Sequence, residues 1–322
     1  MGDRDVRTYK QLPLEIDPPK HHQYRTALSP LFVKSSVEQH VHEFRSIARN
    51  LITGFAAAGG GEVTSLALDM VTQCLGVLYG RPQDVDEWRS WGRDTWMYTE
   101  HGRTGAHLDR YLSRTFDEVE AHPSTDAFTL ISQIEIDGQR ISRTEAMGVA
   151  NVLLAGGRDT VVKLMTGCIW HFGLHPEDRQ YVNENRNELP AAISEILRFL
   201  TPLPAMERLP QDKLATPHEL RTDDDYVRLS FVSGNFDESV FTEPHRIDIR
   251  RERNAHLSFG FGPHTCVGNH VAEIETRIFL EAWLDITPEW SVSPTSQIEY
   301  SQIGSTTFLG NFESLVVDIP RI

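Results

Sequence analysis

Apolar residues recur at three- and four-residue spacing through 35–58, 62–79, 108–121, 126–135, 143–175 and 188–200, and each stretch is predicted to be a helix. Gly59-Gly60-Gly61 breaks the pattern after the first stretch and Gly80-Arg81-Pro82 after the second. His175-Pro176 stops the long central segment, because the residue before a proline is pushed out of helical geometry. From Pro202 to Val232 the pattern becomes shorter and strand-like, as in Tyr226–Val232. After Pro288 come β-branched runs and turns, ending in Leu315–Pro320. The expected fold class is therefore mainly α with small β-sheets late in the chain (α+β). Neither an internal repeat nor a low-complexity linker interrupts it, so residues 1–322 are expected to form one domain.

Composition narrows the function classes. A chain of 322 residues buries a large core, and a formal charge of −15 argues against nucleic acid as a partner. Three widely spaced cysteines (Cys74, Cys168 and Cys266) make no disulfide framework, which points to a reducing, cytoplasmic setting. The charged start Met1–Val6 has no signal-peptide core, and Val6 stands where a myristoylation motif needs Ser or Thr. No apolar run approaches the roughly 20 residues that cross a bilayer, so no membrane anchor is expected.

Chemistry concentrates around Cys266. Phe259, Gly260, Gly262, His264 and Gly268 surround it in a glycine-rich loop that can turn backbone N–H groups toward the sulfur and favour the thiolate. One thiolate without a Cys-x-x-Cys partner cannot build a zinc or iron–sulfur site, but it can serve as the single axial ligand of a haem. Upstream, Gly156-Gly157-Arg158-Asp159-Thr160 sits inside an apolar helical stretch, where each glycine costs roughly 1 kcal/mol relative to alanine. A kink or a close ligand would account for that cost, and Thr160 is placed to bond a carbonyl one turn back. Glu195 and Arg198 share a helix face; alone they read as an ordinary surface ion pair. His21 and Arg25, four apart, likewise read alone as a solvated face.

The pattern Phe259-Gly260-x-Gly262-x-His264-x-Cys266-x-Gly268 resembles the haem-thiolate signature of cytochromes P450. Gly156-Gly157-x-Asp159-Thr160, Glu195-x-x-Arg198 and Asp17-Pro-Pro-x-His21-x-x-x-Arg25 resemble further motifs of that family, in family order. The resemblance covers the chain from Asp17 onward and implies a P450-like fold holding haem b on Cys266. It implies that Gly156 and Gly157 open the oxygen-binding groove, and that Asp159 and Thr160 are the acid–alcohol pair delivering protons. It implies that His21, Arg25, Arg208 and His264 contact the haem propionates, and that Glu195 and Arg198 are a buried brace joined by a downstream arginine or histidine. The implied reaction is O2-dependent monooxygenation of an apolar small molecule, with electrons from a separate ferredoxin-type partner.

The sequence also departs from the family. The Asp17-Pro-Pro helix follows almost none of the usual N-terminal helix and strand segment, and the lid stretch between Asp84 and Asp126 looks compressed. The expectation is a fold lacking most of that N-terminal segment. Its distal face would be covered by a different arrangement of the short N-terminus or by a second chain (a homo-oligomer or partner), or else the chain is a truncated product. Val161, Arg158 and Glu273 are smaller departures. Two alternatives stand beside the monooxygenase: a peroxygenase using H2O2, whose known forms lack the acid–alcohol pair, and a haem-binding protein without turnover.

Overall fold

The computed structural model of the chain describes residues 9–92, 106–208 and 227–320. The helices among them are α1 (Lys20–Phe32), α2 (Lys34–Glu38), α3 (Val41–Ala57), α4 (Val63–Leu78), α5 (Val85–Ser90), α6 (Ala106–Ala121) and α7 (Ala127–Ser132). The series continues with α8 (Arg143–Gly156), α9 (Asp159–Leu174), α10 (Pro176–Glu184), α11 (Leu189–Leu200), α12 (Phe231–Asn235) and α13 (Asn269–Ile286). The strands are short: β1 (Gly60–Glu62), β2 (Glu135–Ile136), β3 (Gln139–Arg140), β4 (Ala205–Arg208), β5 (Val227–Ser230), β6 (Ser291–Val292), β7 (Gln297–Ile303), β8 (Thr306–Ser314) and β9 (Val316–Asp318). They form a three-stranded sheet in the order β1-β9-β6 and three two-stranded ribbons, all antiparallel. This is the mainly α architecture with small sheets that the periodicity predicts. Tyr226, at the head of the expected strand, lies outside the described residues.

Local chemistry fixes several boundaries. Glu62 caps α4 by accepting from the Thr64 and Ser65 N–H groups, and Ser142 with Glu145 forms a reciprocal capping box at the start of α8. The helix expected over 126–135 is shorter. Asp126 caps it through the Thr129 N–H, it ends at Ser132, and Asp137-Gly138 then turns β2 into β3. Both turn residues have positive φ, which is the Asp-Gly hairpin signature.

The single helix expected over 143–175 is two helices. α8 ends at Gly156, and Gly157 (φ −88°, ψ −3°) and Arg158 (φ −105°, ψ −78°) form a turn before α9 begins at Asp159. A Cβ on Gly157 would lie 3.2 Å from the Leu153 carbonyl oxygen, and the Thr160 hydroxyl donates to the Gly156 carbonyl at 3.0 Å. That side-chain bond takes a carbonyl at the break, so the two glycines mark a real interruption.

α9 is the axis of the fold and touches α4, α8, α10, α11, α13, β6 and β8. Leu164, Met165, Cys168, Ile169 and Phe172 on it are buried, and large apolar side chains of this kind each stabilise by about 1.5–3 kcal/mol when fully buried. Its contact with α11 is close: a Cβ on Gly167 would stand 2.3 Å from Leu200 Cδ1. α13 completes the core, burying Trp283 against Phe55, Phe279 and Trp290.

Candidate active site

Two segments far apart in sequence meet at the cysteine loop. Gly260 and Gly262 take φ of +71° and +74°, values only glycine adopts cheaply, and a short 3-10 turn carries Gly262–His264. The Cys266 N–H donates to the Phe259 carbonyl at 2.8 Å, so the loop closes on itself around the thiol. Burial raises the Cys266 pKa, while the Gly268 N–H and the Arg25 guanidinium both work the other way by favouring the thiolate. Cys266 keeps an exposed edge, yet enough protein surrounds its sulfur for desolvation to be the largest influence. Gly268 then leads directly into α13.

α1 supplies the other half. Buried at 1% exposure, His21 has its ring 4.3 Å from that of His264, and its Nδ1 finds no hydrogen-bond partner. Its pKa falls to about 4, first through desolvation and then through His264, Arg25 and His22. The Arg25 guanidinium feels the Cys266 sulfur, and desolvation lowers its pKa. His264 also approaches Asp17, with Nε2 to Oδ1 at 3.4 Å. The fourth expected cation, Arg208, ends β4 and donates to the carbonyl of its neighbour Glu207.

These residues fit a haem. Among the described residues no group of three or more His, Cys, Asp or Glu could hold a metal ion, so a lone sulfur suits an ion that brings its own equatorial ligands. A buried, unsatisfied imidazole nitrogen beside a partly desolvated guanidinium suits a group that brings carboxylates.

The α8–α9 break supplies a second feature. A Cβ on Gly156 would meet no atom within 4 Å, so this residue faces open space. Asp159 is half exposed, and Arg158 Nη1 holds its Oδ1 at 2.8 Å. Arg158 is itself buried and donates through Nη2 to the Trp91 carbonyl at 2.6 Å.

The brace is buried. Arg198 makes a two-pronged pair with Glu195 at 2.8 and 2.9 Å, and also donates to the carbonyls of Asn235, Pro244 and Arg246. Arg251 completes it, with Nε 3.0 Å from Glu195 Oε2. Sequence reasoning left this partner unnamed, because Arg250, Arg251 and Arg253 stand together and spacing does not choose among them. Asn235 extends the network by donating to Thr201 Oγ1 and Ser258 Oγ and accepting from the Leu257 N–H. The brace thus reaches the residues that open the cysteine loop.

The cytochrome P450 family model matches residues 95–310, two thirds of the sequence and including Gly156–Thr160, Glu195, Arg198 and Cys266. The chain belongs to the cytochrome P450 family. It is 29% identical over 299 residues to the cyclomarin C epoxidase CymV of Salinispora arenicola, covering 88% of this chain and 75% of that one. It is also 29% identical to the P450 monooxygenase PikC of Streptomyces venezuelae, covering 89% of this chain and 72% of that one. The solved structure of a carbohydrate active P450 superposes with a TM-score of 0.89 at 24% identity, covering 98% of this chain and 83% of that one, a likeness of fold. The activity is that of a P450-type monooxygenase, and membership in the family implies a haem-thiolate cofactor. Among the described residues no helix is long and apolar enough to cross a membrane.

Proposed function

We propose that the chain binds haem b through Cys266 and inserts one oxygen atom from O2 into an apolar small molecule, with electrons from a separate ferredoxin-type donor. The observation that carries this reading is the meeting of Cys266 with Arg25, His21 and His264, one sulfur donor beside three nitrogen side chains of which His21 Nδ1 lacks any partner. When bound, haem supplies the redox chemistry of oxygen activation. His21, Arg25 and His264 hold its carboxylates, and the Phe259–Gly268 loop presents the sulfur. Arg208 would add a further cation to that set.

Gly156 leaves room because it has no side chain, and Gly157 lies in the turn between α8 and α9; this is the room an oxygen-binding groove would need. Asp159 has one oxygen anchored on Arg158 and a side chain half open to water, so it can take up a proton and release it. Thr160 Oγ1 commits its hydrogen to the Gly156 carbonyl, which aims its lone pairs away from the helix and lets it accept the next proton in line. Phe261, 85% exposed on the cysteine loop, offers the electron donor an apolar contact.

A CO difference spectrum of the haem-loaded protein tests the ligand. Wild type should give the Soret band diagnostic of thiolate ligation and Cys266→Ala should lose it; an unchanged spectrum in the variant would end the assignment. With surrogate ferredoxin and reductase, Thr160→Ala should divert NAD(P)H electrons to H2O2. Undisturbed coupling would remove Thr160 from the proton path.

A further inference from the structure

The turn between α8 and α9 holds a buried cation next to an open acid. The Arg158 side chain is 7% exposed and that of Asp159 53%, so an enclosed guanidinium grips a carboxylate that faces outward. Both terminal nitrogens are in use: Nη1 donates to Asp159 Oδ1 at 2.8 Å and Nη2 to the Trp91 carbonyl at 2.6 Å. Its Nε is buried and has no partner among the described residues, which is destabilising. An apolar side chain of similar volume would fill the place without that cost. What an arginine adds here is the two-ended link itself.

The two ends of that link differ. Trp91, just after α5, is 6% exposed and meets the Tyr111 ring of α6 edge-on at 5.2 Å. The Tyr111 hydroxyl donates to Asp84 Oδ2 at 2.8 Å, and Arg81 Nε donates to the same oxygen at 2.6 Å. This end is therefore fixed in the core. At the other end Asp159 opens α9, a helix that its N-cap side chain does not cap. A carboxylate in that first turn is drawn to the unpaired N–H groups of its own helix, and its exposed half is drawn to water. Arg158 holds Oδ1 against both pulls. Adjacent side chains on a helix do not face each other, so the pair exists because Arg158 lies in the turn and only Asp159 in the helix.

We propose that Arg158 is a positioning residue: anchored on the Trp91 carbonyl, it keeps the Asp159 carboxylate in one orientation at the start of α9, and the rate of proton delivery depends on that anchor. The proposal rests on the reading of Asp159 and Thr160 as the proton pair.

A double-mutant cycle in the full, haem-loaded chain tests it. The readout is NAD(P)H oxidation without added substrate, with surrogate ferredoxin and reductase in excess, in H2O and in D2O. Asp159→Asn should slow oxidation roughly tenfold and raise the solvent isotope effect. Arg158→Leu should slow it about fivefold or more with the same rise, yet add less than about twofold on top of Asp159→Asn. Arg158→Lys keeps the charge without the two-ended fork and should recover less than about half of the loss. The imidazole Kd, read from the Soret shift of nitrogen ligation, should stay within about twofold in each Arg158 variant. An Arg158→Leu rate like wild type, an equal loss on both backgrounds, or a weakening of imidazole in step with the rate overturns the positioning role. Full recovery by lysine overturns the anchor. If Arg158→Leu does not load haem, the shorter, neutral Arg158→Gln carries the same cycle. Asp159→Asn that leaves rate and isotope effect unchanged would sink the proton-pair reading and the proposal with it, which separates that failure from a failure of the anchor.

Discussion

Arg198 and Lys163 are both buried cations, 0% and 7% exposed, yet their partners make them opposite cases. Arg198 meets the Glu195 carboxylate and three carbonyls, so its charge is answered on every side. Replacing either member leaves the other charged in the core without its two-pronged partner, Glu195 keeping only Arg251 as a cation and Arg198 only carbonyls. Arg198→Met and Glu195→Gln should each cost about 3–5 kcal/mol in urea unfolding, far beyond an exposed pair. Lys163 on α9 donates to the Leu309 and Gly310 carbonyls of β8, and desolvation lowers its pKa to about 8, opposed by Glu299. The unfolded chain holds that proton to higher pH, so between about pH 8 and pH 10.5 it binds more protons than the fold and stability rises with pH. Wild type should therefore gain up to about 3 kcal/mol on Lys163→Met across that window, in unfolding curves recorded at several pH values. A flat difference would mean that Lys163 titrates normally. Glu195 and Arg198 were legible as a motif, but neither the burial of Lys163 nor the choice of Arg251 was. Both depend on which strand or loop arrives from far along the chain.

At the scale of elements, the glycines of the central segment divide by what faces them. Gly167 lies in the α9–α11 contact, where an added methyl meets Leu200, so Gly167→Ala should destabilise by about 1–3 kcal/mol in thermal or urea unfolding. Leu200→Val should return part of that loss by making room. Gly156 has nothing near it, and Gly156→Ala should leave stability unchanged or raise it by up to about 1 kcal/mol. The same variant should weaken imidazole binding, because the methyl enters the open space. Periodicity alone joined α8 and α9, since apolar spacing continues across Gly157 and Arg158 while the backbone does not. The glycine pair with Thr160 already carried the signal of a break. The short α7 has a similar lesson: apolar Ile134 extended the helical pattern, and the Asp137-Gly138 turn overruled it.

Across the whole molecule, the ion pair on α11 and the cysteine loop behave as one unit through Asn235. Its side chain accepts from the Leu257 N–H at 2.6 Å and donates to Ser258, whose hydroxyl reaches the Leu197 carbonyl. Asn235→Ala removes these bonds without touching the loop itself. Amide exchange from Leu257 to Cys266 should accelerate, and the haem-loaded protein should release haem to an acceptor faster by roughly tenfold, the effect of losing about 1.4 kcal/mol. The cysteine loop was legible because its residues are contiguous. The cluster of His21 and Arg25 with Cys266 was legible only through family likeness, because more than two hundred residues separate them.

β8 carries a bulge at Gly310, where Glu299 pairs with Asn311 and Tyr300 with Leu309. A two-stranded ribbon has two outer edges whose free amide groups invite another chain to add a strand. On β8 the Leu309 and Gly310 carbonyls are already taken by Lys163, and the strand is irregular at the same point. An incoming strand would find the middle of that ribbon without consecutive acceptors in register. The Lys163 contact thereby also guards against edge-to-edge aggregation.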